Sequence, residues 1–523
     1  MDTFVTTLSN GLAMLTDPGF VLVVAAATLW GIMSGSMPGL SASLAVGVAL
    51  PFTFVLNPVQ AVASLVAVLV GVNYGNSLPA VALGIPGTPA AILTAQEGFQ
   101  LHKNGRGATA LGVTYVASIT GQAVSILVFI AFVVPLAGLA YLFLPAEIFA
   151  MTLLGMTAVI GLAGRSIVKG IAAGSFGLLL GLIGRDPINS VPRFTFGVHQ
   201  LNDGLNVIAV VIGLLAVSEL IRSMRQVYEW RAKMVNVSTA FPPLSVIRRC
   251  LPAIGIGTVV GSIVGILPGA SADAAAFLSY QQAKSRSKTP EEFGHGSLEG
   301  IAANEAAQNA CQAGDLIPTL AVGIPGGATM VLILAALTMH GLIPGPLLLR
   351  ETPELLYGSI AGLIVATIAL VILGWPLARL AIRVATLNRS IVLSSALTLV
   401  IFGVYVLHQS AFDVLVLVFF SVVGYFMIRY GYPVAAAALG LILGGRMESA
   451  LRQGLLLSDS DLLTMISRPV TATILVIAGV LLVYGILTER RLRARARAGE
   501  PVVRADDEDL PPSQTMINVG VNE

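Results

Sequence analysis

Apolar residues in this chain come in long unbroken blocks rather than in alternation or on a single helical stripe. A block of about 18 residues or more is long enough to cross the roughly 30 Å of hydrocarbon in a bilayer. Such blocks predict membrane-spanning helices near 19–35, 40–56, 58–74, 110–140, 145–163, 166–184 and 203–221. After a polar stretch at 222–249 they resume near 250–267, 355–385, 390–407, 411–428, 432–445 and 469–487, with a shorter apolar piece at 270–283. Two further stretches do not read as plain helices. Residues 75–95 carry Pro79, Pro86 and Pro89 with Gly84 and Gly87, and residues 316–337 carry a similar set. Proline removes a backbone donor and its ring clashes one turn back, so each stretch predicts a re-entrant hairpin. Non-helical backbone at membrane depth survives only where protein or a watery cavity shields it. The segment 284–315 is polar, and Asn304, Gln308 and Asn309 within it read as the polar face of a short amphipathic piece.

The interruptions recur. GIMSGSMPGLSAS at 31–43 and GSIVGILPGASAD at 261–273 share Gly, Gly, Pro, Gly, Ser and Ala at an offset of 230 (31 to 261, 39 to 269). LPAVALGIPG at 78–87 matches IPTLAVGIPG at 317–326 at an offset of 239 (87 to 326), which sets Gly75 and Asn76 on Gly314 and Asp315. Gly121 and Pro135 meet Gly362 and Pro376 at an offset of 241 (121 to 362). Offsets that hold inside motifs and drift through loops indicate duplication. The predicted organisation is a first transmembrane repeat (1–221), a cytoplasmic linker (222–249), a second repeat (250–446), an extra C-terminal span (447–490) and a disordered cytoplasmic tail (491–523).

Composition and charge sharpen this picture. Of the 523 residues 56% are apolar and only 11% charged, against roughly 25% charged in soluble proteins. The net charge of +2 selects no acidic partner, because the charges are segregated. Residues 1–100 contain no Lys or Arg, which by the positive-inside rule places the N-terminus outside. Arg165 and Lys169 lie where the second repeat has no basic residue, and Arg379, Arg383 and Arg389 lie where the first has only Glu147. Positive charge at opposite ends of matching helices predicts inverted repeats; Arg446 and Arg452 fall where an outer loop is expected and run against it. No basic region precedes the first apolar block, so no cleavable signal peptide is expected. Cys250 and Cys311 predict no disulfide framework, and the five histidines show no ligand spacing.

Broken helices in repeats of this kind put substrate and ion sites at the membrane midplane. A half-helix N-terminus offers unpaired N–H groups and a positive dipole end, which suit a carboxylate. Pro86 and Pro325 stop one half-helix each, and Gly87, Gly326 and Gly327 let backbone approach a ligand closely. Thr88 and Thr329 add hydroxyls, and Asn76 and Asn304 add amides. Pro38, Gly39, Pro268 and Gly269 form the other pair of breaks, with Ser41 and Ser43 as further substrate contacts. Ser271 and Asp273 are oxygen ligands of the kind Na⁺ needs. A single Pro-Gly is commonly a kink; it is the doubling that points to a site. Asp273, Glu305 and Asp315 are acids in an apolar setting, where ionisable groups are costly and functional by default, although Asp273 and Asp315 could also serve as helix caps.

Four stretches together resemble the large membrane subunit of tripartite tricarboxylate transporters. They are YG…IPGTPAA at 74–91, PGA followed by AAFLSY at 268–280, PEEFGHGSLEGIAANEAAQNA at 290–310 and LIPTLAVGIPGG at 316–327. The resemblance spans about 15–490. It implies ion-gradient-driven secondary transport of a small carboxylate, with Na⁺ or H⁺ as coupling ion and no other cofactor. It also implies a small four-helix membrane subunit and a periplasmic solute-binding protein as partners, in a bacterial inner membrane. The chain departs from the family pattern with PGLSA and PGASA, with Asn304-Glu305-Ala306-Ala307-Gln308-Asn309, and with Asp315. The expected fold is an all-α polytopic membrane protein of two inverted-topology repeats with broken helices and re-entrant hairpins. Two rivals are a facilitative anion channel, which would want a continuous polar lining, and an intramembrane serine hydrolase using Ser41 or Ser271. The hydrolase would need a histidine on a facing helix.

Overall fold

Helix starts are set by ordinary capping chemistry. Asp17 accepts the Gly19 N–H at 2.9 Å ahead of Pro18, and Asn57 accepts the Gln60 N–H at 2.9 Å ahead of Pro58. The computed structural model describes residues 9–225 and 241–497, apart from Pro38 and residues 140–142, 163–165, 187–188, 270–271, 343 and 346–347. In the first half, α1 (Pro18–Gly35), a break and α2 (Ala42–Ala49) precede α3 (Pro58–Gly75), which runs with one irregular residue into α4 (Ser77–Leu83). A second break leads to α5 (Ile92–Lys103), followed by α6 (Gly107–Leu139), α7 (Pro145–Leu162) and α8 (Ile167–Gly181). The half closes with α9 (Val207–Ile212), a π turn (Gly213–Val217) and α10 (Ser218–Arg225).

The second half repeats the order. It contains α11 (Leu244–Ile266), a break, α12 (Ala272–Arg286), α13 (Leu298–Ala321), a break, α14 (Ala328–Met339) and the short α15 (Leu348–Glu351). Then come α16 (Pro353–Val384), α17 (Arg389–His408), α18 (Ala411–Arg429), α19 (Val434–Leu456), α20 (Leu462–Ile466) and α21 (Pro469–Arg497). Among the described residues, ten helices are long and apolar enough to cross a membrane. The protein is a multi-pass helical membrane protein.

Three expectations change. The block at 40–56 is not a span: α2 is eight residues long and continues as a 3₁₀ segment, Leu50–Val55, and the blocks near 145–163 and 166–184 give shorter apolar helices that are not among the ten. The block near 432–445 extends to Leu456, so Arg446 and Arg452 lie on a helix rather than in a loop. Arg452 there bonds Asp186 at 3.0 Å and Glu448 at 2.6 Å, and Arg193 of a short hairpin (184–193) joins Glu448 at 2.7 Å. That hydrogen bond holds the Arg193 guanidinium above its usual range. The third change is the largest. Asn304, Gln308 and Asn309 do not line a short surface piece; they lie inside α13, a 24-residue helix of which every residue except Glu299 is buried. Asn304 finds partners in the first half, at Thr94 and the Ala90 carbonyl, whereas Gln308 and Asn309 donate to the carboxyl and the carbonyl of Glu305 in α13 itself.

The core is built on α3–α4 and α13. Within each half the first helix packs on this central one, α1 on α3 and α11 on α13. Between halves the packing is reciprocal: α6 lies on α13 and α11, and α16 lies on α3 and α1. The later helices also exchange, α8 with α19 and α9–α10 with α18. Small residues make the crossings close, as helix packing in lipid favours. A Cβ on Gly31 would stand 2.2 Å from the Val68 carbonyl oxygen; at the equivalent Gly261 it would stand 2.2 Å from that of Ala307. Neither neighbour can move without moving a helix. Gly31→Ala and Gly261→Ala are therefore expected to destabilise by at least the ~1–3 kcal/mol typical of overpacking. Gly255→Ala, with nothing within 4 Å of the added carbon, should leave the melting temperature in detergent unchanged.

Candidate functional site at the helix breaks

Both GIPG motifs end a buried helix in the same way. Gly84 and Gly323 adopt φ of 72° and 80°, and the Ile85 and Ile324 N–H groups reach back to the Pro79 and Pro318 carbonyls at 3.3 and 3.1 Å. A left-handed residue that turns the chain back onto its last turn is a helix stop that glycine supplies without strain. The chain then passes Pro86-Gly87 or Pro325-Gly326, is extended at Thr88 or Gly327, and starts a new helix. In each half the motif's second glycine rests on the preceding helix. A Cβ on Gly87 would meet Asn76 at 2.8 Å and the Gly35 carbonyl at 3.0 Å; one on Gly326 would meet the Asp315 Cα at 2.4 Å. Asn76 and Asp315 are equivalent positions, so the duplication is realised in contacts. The new helices, α5 and α14, have no side-chain cap at their N-termini. Backbone carbonyls serve there instead: a 3₁₀ turn, Pro89–Ala91, leads into α5, with the Ala91 N–H on the Thr88 carbonyl at 3.0 Å and the Ile92 N–H on that of Pro89, and in α14 the Met330 N–H donates to the Gly327 carbonyl at 3.1 Å.

The first turn connects to α13 through a continuous set of hydrogen bonds. Asn76 Nδ2 donates to Thr88 Oγ1 at 2.8 Å, and Ser77 Oγ lies 2.9 Å from Asn76 Oδ1. Ser77 Oγ also lies 2.7 and 2.8 Å from the two carboxyl oxygens of Glu305. Thr94 donates to Glu305 Oε1, Gln308 Nε2 to the same oxygen at 3.0 Å, and Ser118 to Oε2 at 3.3 Å. Asn304 donates to Thr94 Oγ1 at 2.8 Å and to the Ala90 carbonyl at 3.0 Å. Asn73 donates to the Gln308 carbonyl at 3.1 Å. Glu305 is wholly buried, and no ion pair among the described residues includes it. The amide oxygens of Asn304, Gln308, Asn309 and Gln312 are buried without partners among the described residues.

A protein-family comparison matches residues 21–439 to the tripartite tricarboxylate transporter TctA family. The chain belongs to the TctA family. It is also similar to two proteins of Agrobacterium vitis. One, named as an uncharacterized 52.8 kDa protein in the TAR-I ttuC' 3' region, is 31% identical over 487 residues, covering 93% of this chain and 97% of that protein. The other, an uncharacterized protein in the TAR-II ttuC' 3' region, is 34% identical over 231 residues, covering 44% of this chain and 96% of that protein. No solved structure matches. TctA is a family of transporters rather than enzymes, and its name implies further subunits.

In this TctA-family chain the expected residues fall into three groups. Asn76, Gly87, Thr88 and Asn304 come together at the first turn, as described. Gly326 sits at the second turn on Asp315, and its N–H donates to Thr319 Oγ1 at 3.1 Å. Ten helical residues separate Glu305 from Asp315, about 15 Å along α13. Gly327 and Thr329 open α14, half-buried. Ser41 caps α2 and donates to Glu219 Oε2 at 2.5 Å, and Ser43 is half-buried beside it. Gly39 and Gly269 both turn with positive φ, 83° and 79°. Asp273 is half-buried in the first turn of α12 and acts electrostatically on Asp315 and Cys311. Pro38 and Ser271 lie outside the described residues. Among those residues no cluster of three or more His, Cys, Asp or Glu could hold a metal ion.

Sequence reasoning missed two residues. Arg446 of α19 lies behind the second turn: a Cβ on Gly323 would meet Gly345 Cα at 2.8 Å, and one on Gly345 would meet the Arg446 guanidinium at 2.4 Å. It senses the charge of Glu351 but forms no ion pair with any described residue. Glu97 of α5 is the other. Its carboxylate accepts the N–H groups of Gly294, Gly296 and Ser297 at 2.6, 2.7 and 2.7 Å, and the Tyr280 hydroxyl. Gly294 and Gly296 have φ of 97° and 109°, which turns both N–H groups inward. The signal was there: an acid in an apolar hairpin, and a Gly-x-Gly loop ahead of α13. Glu97→Gln removes the charge from four hydrogen bonds, each worth ~1.5–3 kcal/mol when charged. It should lower the melting temperature in detergent and open the 287–297 loop to protease, whereas Glu354→Gln at the start of α16 should do neither.

Proposed function

We propose that this protein is the membrane-embedded translocating subunit of an ion-gradient-driven importer of small carboxylates, with Na⁺ or H⁺ as coupling ion. The observation that carries this reading is the pair of helix breaks at equivalent places in two halves, the first half-buried and the second buried, each followed by a helix start without a side-chain cap. Interrupted helices so placed are where repeat-built transporters hold substrate and ions. The half-buried Arg446 behind the second turn supports an anionic substrate, since a guanidinium matches carboxylate geometry. A channel would want a continuous polar lining, and α3, α14 and α16 line the core with aliphatic side chains instead. The partners are a periplasmic solute-binding protein and a small four-helix membrane subunit, in a bacterial inner membrane. The two repeats are inverted, with the 222–249 linker and the C-terminus on the cytoplasmic side.

Two measurements test this. Citrate and succinate uptake into vesicles should need the binding protein and an ion gradient, and Arg446→Gln and Thr88→Val should each raise KM about tenfold, the cost of one charged hydrogen bond. Gradient-independent uptake would instead indicate a channel. For topology, a single cysteine at Ser238, in a chain lacking Cys250 and Cys311, should resist an impermeant thiol reagent until the cells are lysed. Labelling of intact cells would overturn the inverted arrangement.

A further inference from the structure

Glu305 presents an oxygen-counting problem. Ser77 Oγ stands within 3.4 Å of four oxygens: Asn73 O at 3.4 Å, Asn76 Oδ1 at 2.9 Å, and the two Glu305 oxygens at 2.7 and 2.8 Å. A serine hydroxyl has one hydrogen to give and can accept others. If Glu305 is ionised and Asn76 keeps the orientation just described, either Asn76 Oδ1 or the carboxylate faces Ser77 without a hydrogen between them. A proton on Glu305 removes the conflict. The acid O–H then donates to Ser77 Oγ, Ser77 to Asn76 Oδ1, and Asn76 Nδ2 to Thr88 Oγ1. The Thr88 hydroxyl hydrogen is left free at the GIPG turn.

We infer that Glu305 binds the coupling proton, and that the Ser77–Asn76–Thr88 chain makes carboxylate binding at the first GIPG turn depend on it. The chain has two consistent polarities. With Glu305 protonated it runs outward, and Thr88 offers its O–H to a carboxylate. With Glu305 ionised Ser77 must donate to the carboxylate, the Asn76 amide turns over to donate to Ser77, and its oxygen takes the Thr88 hydrogen. The turn then presents hydroxyl lone pairs, which repel an anion. Proton and carboxylate are thus taken up together and released together, and no covalent bond other than O–H changes. This rests on the carboxylate reading given above.

The surroundings leave Glu305 as the group that switches. Tyr74 of α3, which interacts with it electrostatically, is a buried phenol donating to Gly374 O at 3.2 Å, and Tyr115 of α6 donates to Val371 O at 2.6 Å. On α5, Glu97 is held by the 294–297 loop at the far N-terminal end of α13, with His102 and Lys103 further along. On α11, Arg248 and Cys250 lie near its N-terminal end, where Arg249 pairs with Glu292 and with Glu299 of α13 itself. On α12, Tyr280 bonds Glu97, Lys284 and Arg286 lie in the last turn, and Asp273 acts on Asp315 and Cys311, both well past Glu305 on α13. Short α15 brings Arg350 and Glu351, and Glu351 acts on Arg446; α14 carries no acid or base, and His340 follows its end.

The test uses the full chain in lipid vesicles with citrate as the probe carboxylate. Infrared difference spectra across a pH titration should contain the carbonyl stretch of a buried carboxylic acid that is lost in Glu305→Gln. If wild type lacks that band at every pH where the chain stays folded, or Glu305→Gln keeps it, the proton site is wrong. Wild-type citrate affinity should be full at low pH and fall about tenfold per pH unit above the titration, the slope one linked proton gives. Glu305→Gln, whose amide donates to Ser77 permanently, and Asn76→Ala, which cuts the chain but leaves Glu305, should both flatten that slope. A slope retained in Asn76→Ala overturns the relay, and citrate binding that follows Na⁺ with no pH slope overturns the coupling. Should Glu305→Gln fail to fold, Asn76→Ala carries the affinity measurement. If wild type binds no citrate, the carboxylate reading fails, while the infrared band and its shift in Ser77→Ala still decide where the proton sits.

Discussion

Everything in this structure depends on keeping a polar helix inside an apolar bundle. α13 brings Asn304, Glu305, Gln308, Asn309, Gln312 and Asp315 into the core. A buried polar group without a partner costs several kcal/mol in a medium that offers no hydrogen bonds. The partners come mainly from the other half: Ser77, Thr94 and Ser118 for Glu305, the Ala90 carbonyl for Asn304, and Asn73 for the backbone of Gln308. The first half's hairpin is therefore held where α13 needs it. Glu97 makes the same connection at the helix's other end, clasping the loop from which α13 starts. The two halves are joined by hydrogen bonds at their centre and by glycine contacts around it.

Close packing and interruption are two uses of the same residue. At Gly31, Gly71, Gly261 and Gly121 the missing side chain lets helix backbones touch, which gives packing energy where lipid offers no hydrophobic gain for association. At Gly84 and Gly323 glycine ends a helix, and at Gly87 and Gly326 it lets the turn settle on the helix just left. A rigid frame of close crossings around two breaks is how a site on irregular backbone keeps its shape at membrane depth.

Much of this was legible in the sequence, and what was not had a physical reason. The duplication, the Pro-Gly breaks and the equivalence of Asn76 with Asp315 followed from offsets alone, because a repeated turn needs the same residues twice. Most spans followed from apolar length. α2 did not, because length and hydropathy cannot tell a short helix with a 3₁₀ end from a span. α13 was misread because its amides were taken as one polar face of a short amphipathic piece. Its real signal was subtler: small residues at Ala302, Ala303, Ala306, Ala307 and Ala310 interleaved with amides and one acid, which suits tight contact on every side. Glu97 and Arg446 were passed over because their partners, a glycine loop and a turn, lie 197 and over 100 residues away.

The equivalence of the halves ends where the chemistry begins. At the offset of 239, Leu65, Val66, Leu69 and Val70 stand in α3 where α13 has Asn304, Glu305, Gln308 and Asn309; Leu316 and Ile333 stand where the first half has Ser77 and Thr94. The frame is thus nearly symmetric and its polar lining is not. If both halves carried the Glu305 network, two buried carboxyls would have to change state together. With one such network, the protonation inferred for Glu305 need set the polarity of the first turn alone. Asp315 marks the other turn differently, with a carboxylate where the first has an amide. The asymmetry of side chains on a symmetric backbone lets one turn answer to Glu305 while the other sits against Asp315 and Arg446.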